Sequence, residues 1–234
     1  MLVKTNQDLL QLLDNLLREP TQFWDDFYQD QKKPIPFFKN IPDEHLVSYF
    51  EREMIRPTKV LELGCGAGRN AIYLAKKGCS VDGVDLSEQA LQWAKERAEK
   101  ESVNIHFICQ DIFDLPLQEN SYGLIYDSGC FHHLAPHRRI SYLQLVEKLL
   151  KPNGYFAICT FEENGPYGGS SITDEEVYIK RSLDGGLGYT AHKLREIFQS
   201  FDDIEIRNMA FENLPDDRFG LDGFLIGLFK KSNK

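Results

Sequence analysis

The spacing of hydrophobic positions changes character along the chain. Leu9, Leu10, Leu12, Leu13, Leu16 and Leu17 recur at helical intervals, which predicts an amphipathic helix over about residues 5–18. Pro20 is placed to open a second helix carrying Phe23, Trp24, Phe27 and Tyr28, because proline suits the first helical position. Lys33-Pro34-Ile35-Pro36-Phe37-Phe38 reads as an extended linker, since each proline pushes its predecessor out of the α region. A third helix is expected from Pro42, with Leu46, Tyr49 and Phe50 facing inward.

From Lys59 the rhythm becomes strand–helix–strand. Apolar runs predict strands at 60–63, 80–85, 103–108, 122–126 and 155–159, with two more near 203–210 and 222–230. Between them helices are expected at 70–77, closed by Gly78, and from an Ser87 N-cap to about Glu101. Two more run from Pro136 to Leu150, before Pro152-Asn153-Gly154, and from a Thr190 cap to Ser200. Such alternation implies right-handed βαβ units, a mainly parallel sheet, and ligands at the C-terminal strand ends. Residues 162–189 break the rhythm. They hold Gly165, Gly168, Gly169, Gly185, Gly186 and Gly188 and few large apolar residues, so a long loop is expected, of a kind that is often functional. Tyr167, Tyr178 and Tyr189 in it either line a pocket or lie on the surface.

Size and charge narrow the field. At 234 residues the chain suits one large α/β domain. A net charge of −9 with no Lys/Arg block argues against a nucleic-acid substrate, which is gripped largely through phosphates. No run of uncharged apolar residues is long enough for a membrane span, and the first residues lack the basic-then-apolar pattern of a secretory signal. Cys65, Cys79, Cys109, Cys130 and Cys159 are odd in number and form no C-x-x-C pair. A disulfide framework or zinc ribbon is therefore not expected, and a reducing cytoplasm is.

The candidate chemistry centres on Glu62-Leu63-Gly64-Cys65-Gly66-Ala67-Gly68-Arg69-Asn70, which follows a strand and opens a helix. Glycines there permit a tight turn and let a ligand lie against bare backbone, beside the positive end of a helix. The pattern is G-x-G-x-G. Arg69 stands where a dinucleotide binder has its third glycine, and no P-loop Gly-Lys-Ser/Thr follows. Asp85 ends the next strand at the position where an acid accepts both hydroxyls of a ribose, although a helix-capping or turn role also fits. Asp111 follows the third strand and can accept a hydrogen bond from an adenine amino group, with Ile112 offering an apolar face; an ordinary surface turn fits as well.

Val60–Arg69, Val81–Ser87, Cys109–Ile112, Tyr122–Asp127 and Leu149–Gly154, taken in this order, resemble the class I S-adenosylmethionine-dependent methyltransferase family. The likeness is strong over about residues 57–161 and weak elsewhere. It implies a Rossmann-like three-layer sandwich, with a mainly parallel seven-stranded sheet whose last strand is antiparallel and an N-terminal helical cap. The expected division is a single domain, 1–234, with a cap at 1–56, a cofactor core at 57–161, a substrate loop at 162–189 and a C-terminal helix and strands at 190–234. It implies S-adenosylmethionine as cofactor, with Gly64 and Gly66 beneath its methionine part and Glu62 near its ammonium. Asp85 would take the ribose, Asp111 the adenine amino group and Ile112 the adenine face. Cys65, Leu86 and Asp127 complete the expected cofactor contacts. The family's usual Pro-Gly-Gly turn is Pro152-Asn153-Gly154 here, a mild departure because Asn tolerates positive φ.

Methyl transfer is an in-line displacement on an already activated cofactor, so alignment and exclusion of water do most of the catalytic task. A base is needed only if the acceptor must lose a proton. Asp127-Ser128-Gly129-Cys130-Phe131-His132-His133-Leu134 follows the fourth strand, which makes His132 and His133 the candidate catalytic groups, with a structural role in the connection as the competing reading. His132, His133 and His137 lack the Cys or carboxylate company of a metal site, and no metal is expected. Cys130 reads as a packed thiol rather than a nucleophile.

Trp24-Asp25-Asp26-Phe27-Tyr28, Ile35-Pro36-Phe37-Phe38 and the Arg139-x-x-Tyr142 pair look like the thiopurine and tellurite-resistance methyltransferase branch. That likeness implies that Trp24 and Phe27 close over the cofactor, a role set against simple anchoring of the cap. It also implies small, soft acceptors such as thiols or selenium and tellurium species. The expectation is thus a cytoplasmic enzyme, monomer or homodimer, methylating a small molecule, with no membrane or nucleic-acid partner. A macromolecular acceptor and an NAD-dependent oxidoreductase of similar fold are the alternatives.

Overall fold

The computed structural model describes residues 2–232; the terminal positions 1, 233 and 234 of the expected domain span lie outside it. Seven strands form one sheet: β1 Lys59–Leu63, β2 Ser80–Asp85, β3 His106–Cys109, β4 Tyr122–Ser128, β5 Leu150–Phe161, β6 Phe201–Asn208 and β7 Phe224–Lys231. Their order is β3-β2-β1-β4-β5-β7-β6. Helices α1 Asn6–Asp14, α2 Pro20–Gln29 and α3 Glu44–Glu51 precede the sheet. Then come α4 Arg69–Lys76, α5 Glu88–Lys100, α6 Arg138–Leu149, α7 Asp174–Lys180 and α8 Ala191–Ile197.

The sheet is the expected one. β1 pairs parallel with both β2 and β4, so the winding reverses beside β1 and opens a crevice at the C-terminal strand ends. β7 runs antiparallel to β5 and to β6. All of β1 after Lys59 is buried, as a strand covered on both faces requires. One face packs against α6 and α8 through Tyr142, Val146, Leu194 and Phe198. The other packs against α3 and α4 through Leu46, Tyr49, Ala71 and Leu74.

Four local expectations are corrected. The first helix ends at Asp14 rather than near 18, where a turn intervenes. β3 begins at His106 rather than Val103, because Val103 donates to the Ala98 carbonyl and closes α5. β5 begins at Leu150 and bulges at 151–154, so that Tyr122 faces Leu150 but Leu124 faces Tyr155; Asn153 sits there at φ 62°. The segment 162–189 is not an unbroken loop. It contains α7, whose N-cap Thr173 and third residue Glu176 form a reciprocal capping box. The Thr-x-x-Glu signal was present in the sequence and loses to the glycines on either side.

A buried polar cluster joins the cap to the core. Asp43, fully buried at the start of α3, pairs with Arg69 at 2.6 Å. Its other oxygen accepts from Asn70 Nδ2 (2.9 Å), Tyr126 (2.6 Å) and Ser128 (2.7 Å). Arg69 also donates to the Ile41 carbonyl and to Ser128 Oγ, and lies over the Phe219 ring. Removing one partner of such a pair leaves an uncompensated charge out of water, which costs more than the pair contributes. Asp43→Ala is therefore expected to lower unfolding free energy by about 3–5 kcal/mol in urea denaturation. A loss below about 1 kcal/mol, as for a surface pair, would contradict this placement.

Candidate active site

The glycine loop takes its shape from residues with positive φ. Gly64, Gly66 and Gly68 have φ of 64°, 51° and 78°, a region that favours glycine, and Gly68 caps α4. A side chain at Gly66 would also collide with Tyr28, whose hydroxyl oxygen lies 2.5 Å from the position of a Cβ. Cys65, buried, donates its backbone N–H to the Val84 carbonyl at the end of β2.

Asp85 ties this loop to the next helix. One carboxyl oxygen accepts the Gly66 N–H at 2.8 Å and the other the Ser87 N–H at 2.9 Å. Burial pushes its carboxyl up, against the pull of these hydrogen bonds. The Asp85 carbonyl accepts from the Gln110 N–H, and the Leu86 carbonyl lies 3.6 Å from the Cys109 thiol. The Asp111 segment thus runs beside Asp85 and Leu86. Asp111, half-buried, accepts the Phe113 N–H at 2.9 Å, and Ile112 is buried next to it.

Glu62, 2% exposed, ends β1 beneath the loop. Its Oε2 has no hydrogen-bond partner. Burial pushes its carboxyl up to about 8, although Arg69 pulls the other way. A buried, unpartnered carboxyl oxygen calls for a donor. Glu62, Gly64, Cys65, Gly66, Asp85, Leu86, Asp111 and Ile112 thus lie at or just beyond the C-terminal ends of β1, β2 and β3. The two guanidiniums near the loop are committed elsewhere. Arg69 pairs with Asp43, and Arg97 donates to the Ala67 and Phe38 carbonyls and lies over Trp93. Among the described residues, neither of these guanidiniums is left free to meet a pyrophosphate.

Asp127 is placed differently. It is fully buried, and one oxygen accepts from the N–H groups of Gly129, Cys130 and Phe131 while the other accepts from Tyr142 at 2.6 Å. Burial lifts it to about 6. All of these bonds shape the connection after β4. Cys130 in that connection packs against Gly64: a Cβ there would come within 2.8 Å of its own.

The two histidines part company. His132, 2% exposed, stacks on Phe161 at 3.8 Å, and its Nδ1 accepts the Phe161 N–H. Burial holds it neutral. His133 is only partly covered, and its ring meets Trp24 of α2 at 4.9 Å, with Phe161 further off at 5.9 Å. Burial pushes it down to about 4, so it too is neutral at pH 7. His137 turns away to Asp14 and Tyr178. Among the described residues no cluster of three or more His, Cys, Asp or Glu can hold a metal.

Two contacts were missed by reading the sequence. Asp25 of α2 accepts from Ser87 Oγ at 2.7 Å, and Tyr28 rests on Gly66. With Trp24, they bring α2 down over the crevice. The aromatic run of α2 was visible in the sequence; which core residues it would meet was not. Of the three tyrosines in 162–189, Tyr167 is exposed, Tyr178 bonds to His137 and Tyr189 is buried beside Phe131.

A methyltransferase domain family matches residues 60–154. A ubiquinone biosynthesis O-methyltransferase of Coxiella burnetii is 30% identical over 156 residues, 64% of this chain and 64% of that one. A probable S-adenosyl-L-methionine-dependent methyltransferase of Haemophilus influenzae, TehB, is 36% identical over 103 residues, 44% of this chain and 36% of its own length. The chain thus matches less than two thirds of the length of each. The crystal structure of a Burkholderia thailandensis 1,6-didemethyltoxoflavin-N1-methyltransferase, with 1,6-didemethyltoxoflavin and S-adenosylhomocysteine bound, superposes with a TM-score of 0.65 at 20% identity, covering 100% of this chain and 92% of that one. The glycine loop, the sheet order and these matches together make the chain similar to the S-adenosylmethionine-dependent methyltransferases.

Proposed function

We propose that the protein transfers the methyl group of S-adenosylmethionine to a small-molecule acceptor. The observation that carries this reading is the unpartnered Glu62 oxygen below a glycine loop whose free neighbours are acceptors and not cations. Glu62 would receive the cofactor's ammonium, Gly64 and Gly66 would pass beneath its methionine part with Cys65 beside them, and Asp85 with Leu86 would hold the ribose. Asp111 and Ile112 would take the adenine. Asp127 would act by holding the β4 connection in place, and Trp24 would close the crevice from α2.

The cofactor, when bound, supplies an electrophilic methyl on a sulfonium. This chain's residues have to align the nucleophile and keep out water. His133 is the group best placed to orient an acceptor or take its proton at a ring nitrogen, because His132 already spends Nδ1 on the Phe161 N–H. Trp24, His133 and Phe161 make an aromatic, uncharged wall. Such a wall suits a neutral or polarisable acceptor, in line with a soft nucleophile. The names of the Coxiella and Burkholderia proteins also point to small organic acceptors.

Glu62 yields a test with a definite sign. Its folded-state pKa lies above the ordinary value, so between about pH 4.5 and 8 the folded protein holds the extra proton, and the unliganded fold loses stability as pH rises through that window. Glu62→Gln should remove this loss, raising the melting temperature at pH 8 relative to wild type, while weakening S-adenosylhomocysteine binding about tenfold. An unchanged affinity would contradict the ammonium assignment.

Activity is tested by incubating the protein with methyl-labelled S-adenosylmethionine and a panel of thiols, selenite, phenols and amines. Label is expected in a small-molecule product, with His133→Ala lowering kcat about tenfold or more at unchanged cofactor affinity. Label only in protein or nucleic acid would support the macromolecular alternative, and full activity of His133→Ala would exclude its role.

A further inference from the structure

The first two helices of the cap bury few of their own residues. α1 has no buried residue, and α2 has one, Tyr28. What fixes the end of α1 is a single carboxylate. Asp14 Oδ1 takes His137 Nε2 at 2.8 Å and Arg138 Nε at 3.1 Å, and its Oδ2 pairs with the same guanidinium. His137 in turn meets the acceptor segment. The Tyr178 hydroxyl of α7 accepts the His137 backbone N–H at 3.0 Å and lies 2.8 Å from Nδ1. The Asp14 carboxylate can only accept, so Nε2 carries the hydrogen towards it; in the neutral ring Nδ1 is then the acceptor and the Tyr178 hydroxyl its donor. The Arg138 guanidinium lies 4.9 Å over Phe113, next to Ile112, on the side where the adenine is placed.

We infer that Asp14, His137 and Tyr178 form a junction through which the cap and the acceptor segment 162–189 close together, so that order in one favours order in the other. This rests on the cofactor reading of the crevice and goes beyond it. A tyrosine in the acceptor segment, with no place in the cofactor crevice, is thereby a positioning residue for cofactor binding. The linkage is reciprocal: an acceptor that orders α7 tightens the cofactor, and a bound cofactor favours the closed acceptor segment.

The test is calorimetric titration with S-adenosylhomocysteine of wild type, Tyr178→Phe, Asp14→Asn and the double variant, with Ile179→Ala as control. Ile179 is the next residue on α7 and is 72% exposed. Tyr178→Phe removes one hydroxyl from a partly exposed ring, so the fold is not at stake. Each single variant is expected to weaken binding, Tyr178→Phe by about three- to tenfold. The double variant should be no weaker than Asp14→Asn alone, because both break the same junction. Ile179→Ala should bind like wild type. Unchanged affinity in Tyr178→Phe, or losses that add in the double variant, would overturn the junction. A wild type that does not bind would instead overturn the cofactor reading on which it rests.

Discussion

The Asp43–Arg69 ion pair is the contact on which the site depends. Arg69 begins the helix that the glycine loop feeds, and Asp43 begins the helix that ends the cap. Out of water the pair is supported by further hydrogen bonds from Asn70, Tyr126 and Ser128 to Asp43 and from Arg69 to the Ile41 carbonyl. Through it the N-terminal helices, the cofactor loop and the end of β4 are set in one frame. The residue that departs from the dinucleotide pattern is thus structural. It takes the place of the glycine that in a dinucleotide binder lets the helix pack close to the strand, and its charge is turned inward to the cap.

Around that frame the crevice sorts its charged groups by environment. The carboxyls of Glu62 and Asp85 are raised by burial; Asp85 is held by the Gly66 and Ser87 N–H groups, while one Glu62 oxygen has no donor. Asp127, also raised, already has four donors and serves the backbone. The imidazoles of His132 and His133 are pushed down and stay neutral. The proposed cofactor reading uses this pattern, since a buried unsatisfied acceptor such as the Glu62 oxygen is costly until a matching donor arrives.

Much of this was legible in the sequence because local rules carry it. The alternation of apolar runs with capped helices is what made the sheet readable. The strands expected at 60–63, 80–85 and 122–126 fall within β1, β2 and β4, the last running two residues further. What was not legible depends on contacts between distant residues. Nothing near Asp43 announces Arg69, and Asp127, which looks like another cofactor acid, is claimed by Tyr142 fifteen residues on. His132 and His133 are adjacent in sequence, yet one is spent on Phe161 and the other faces Trp24. Helix α7 was hidden because glycines outweighed its Thr173–Glu176 capping box.

The most direct test of the central claim is the calorimetric titration of the wild-type protein with S-adenosylhomocysteine, with NADH as the control. The account predicts saturable binding of the first with one site per chain and no heat from the second. Absence of S-adenosylhomocysteine binding, or saturable binding of NADH, would contradict it.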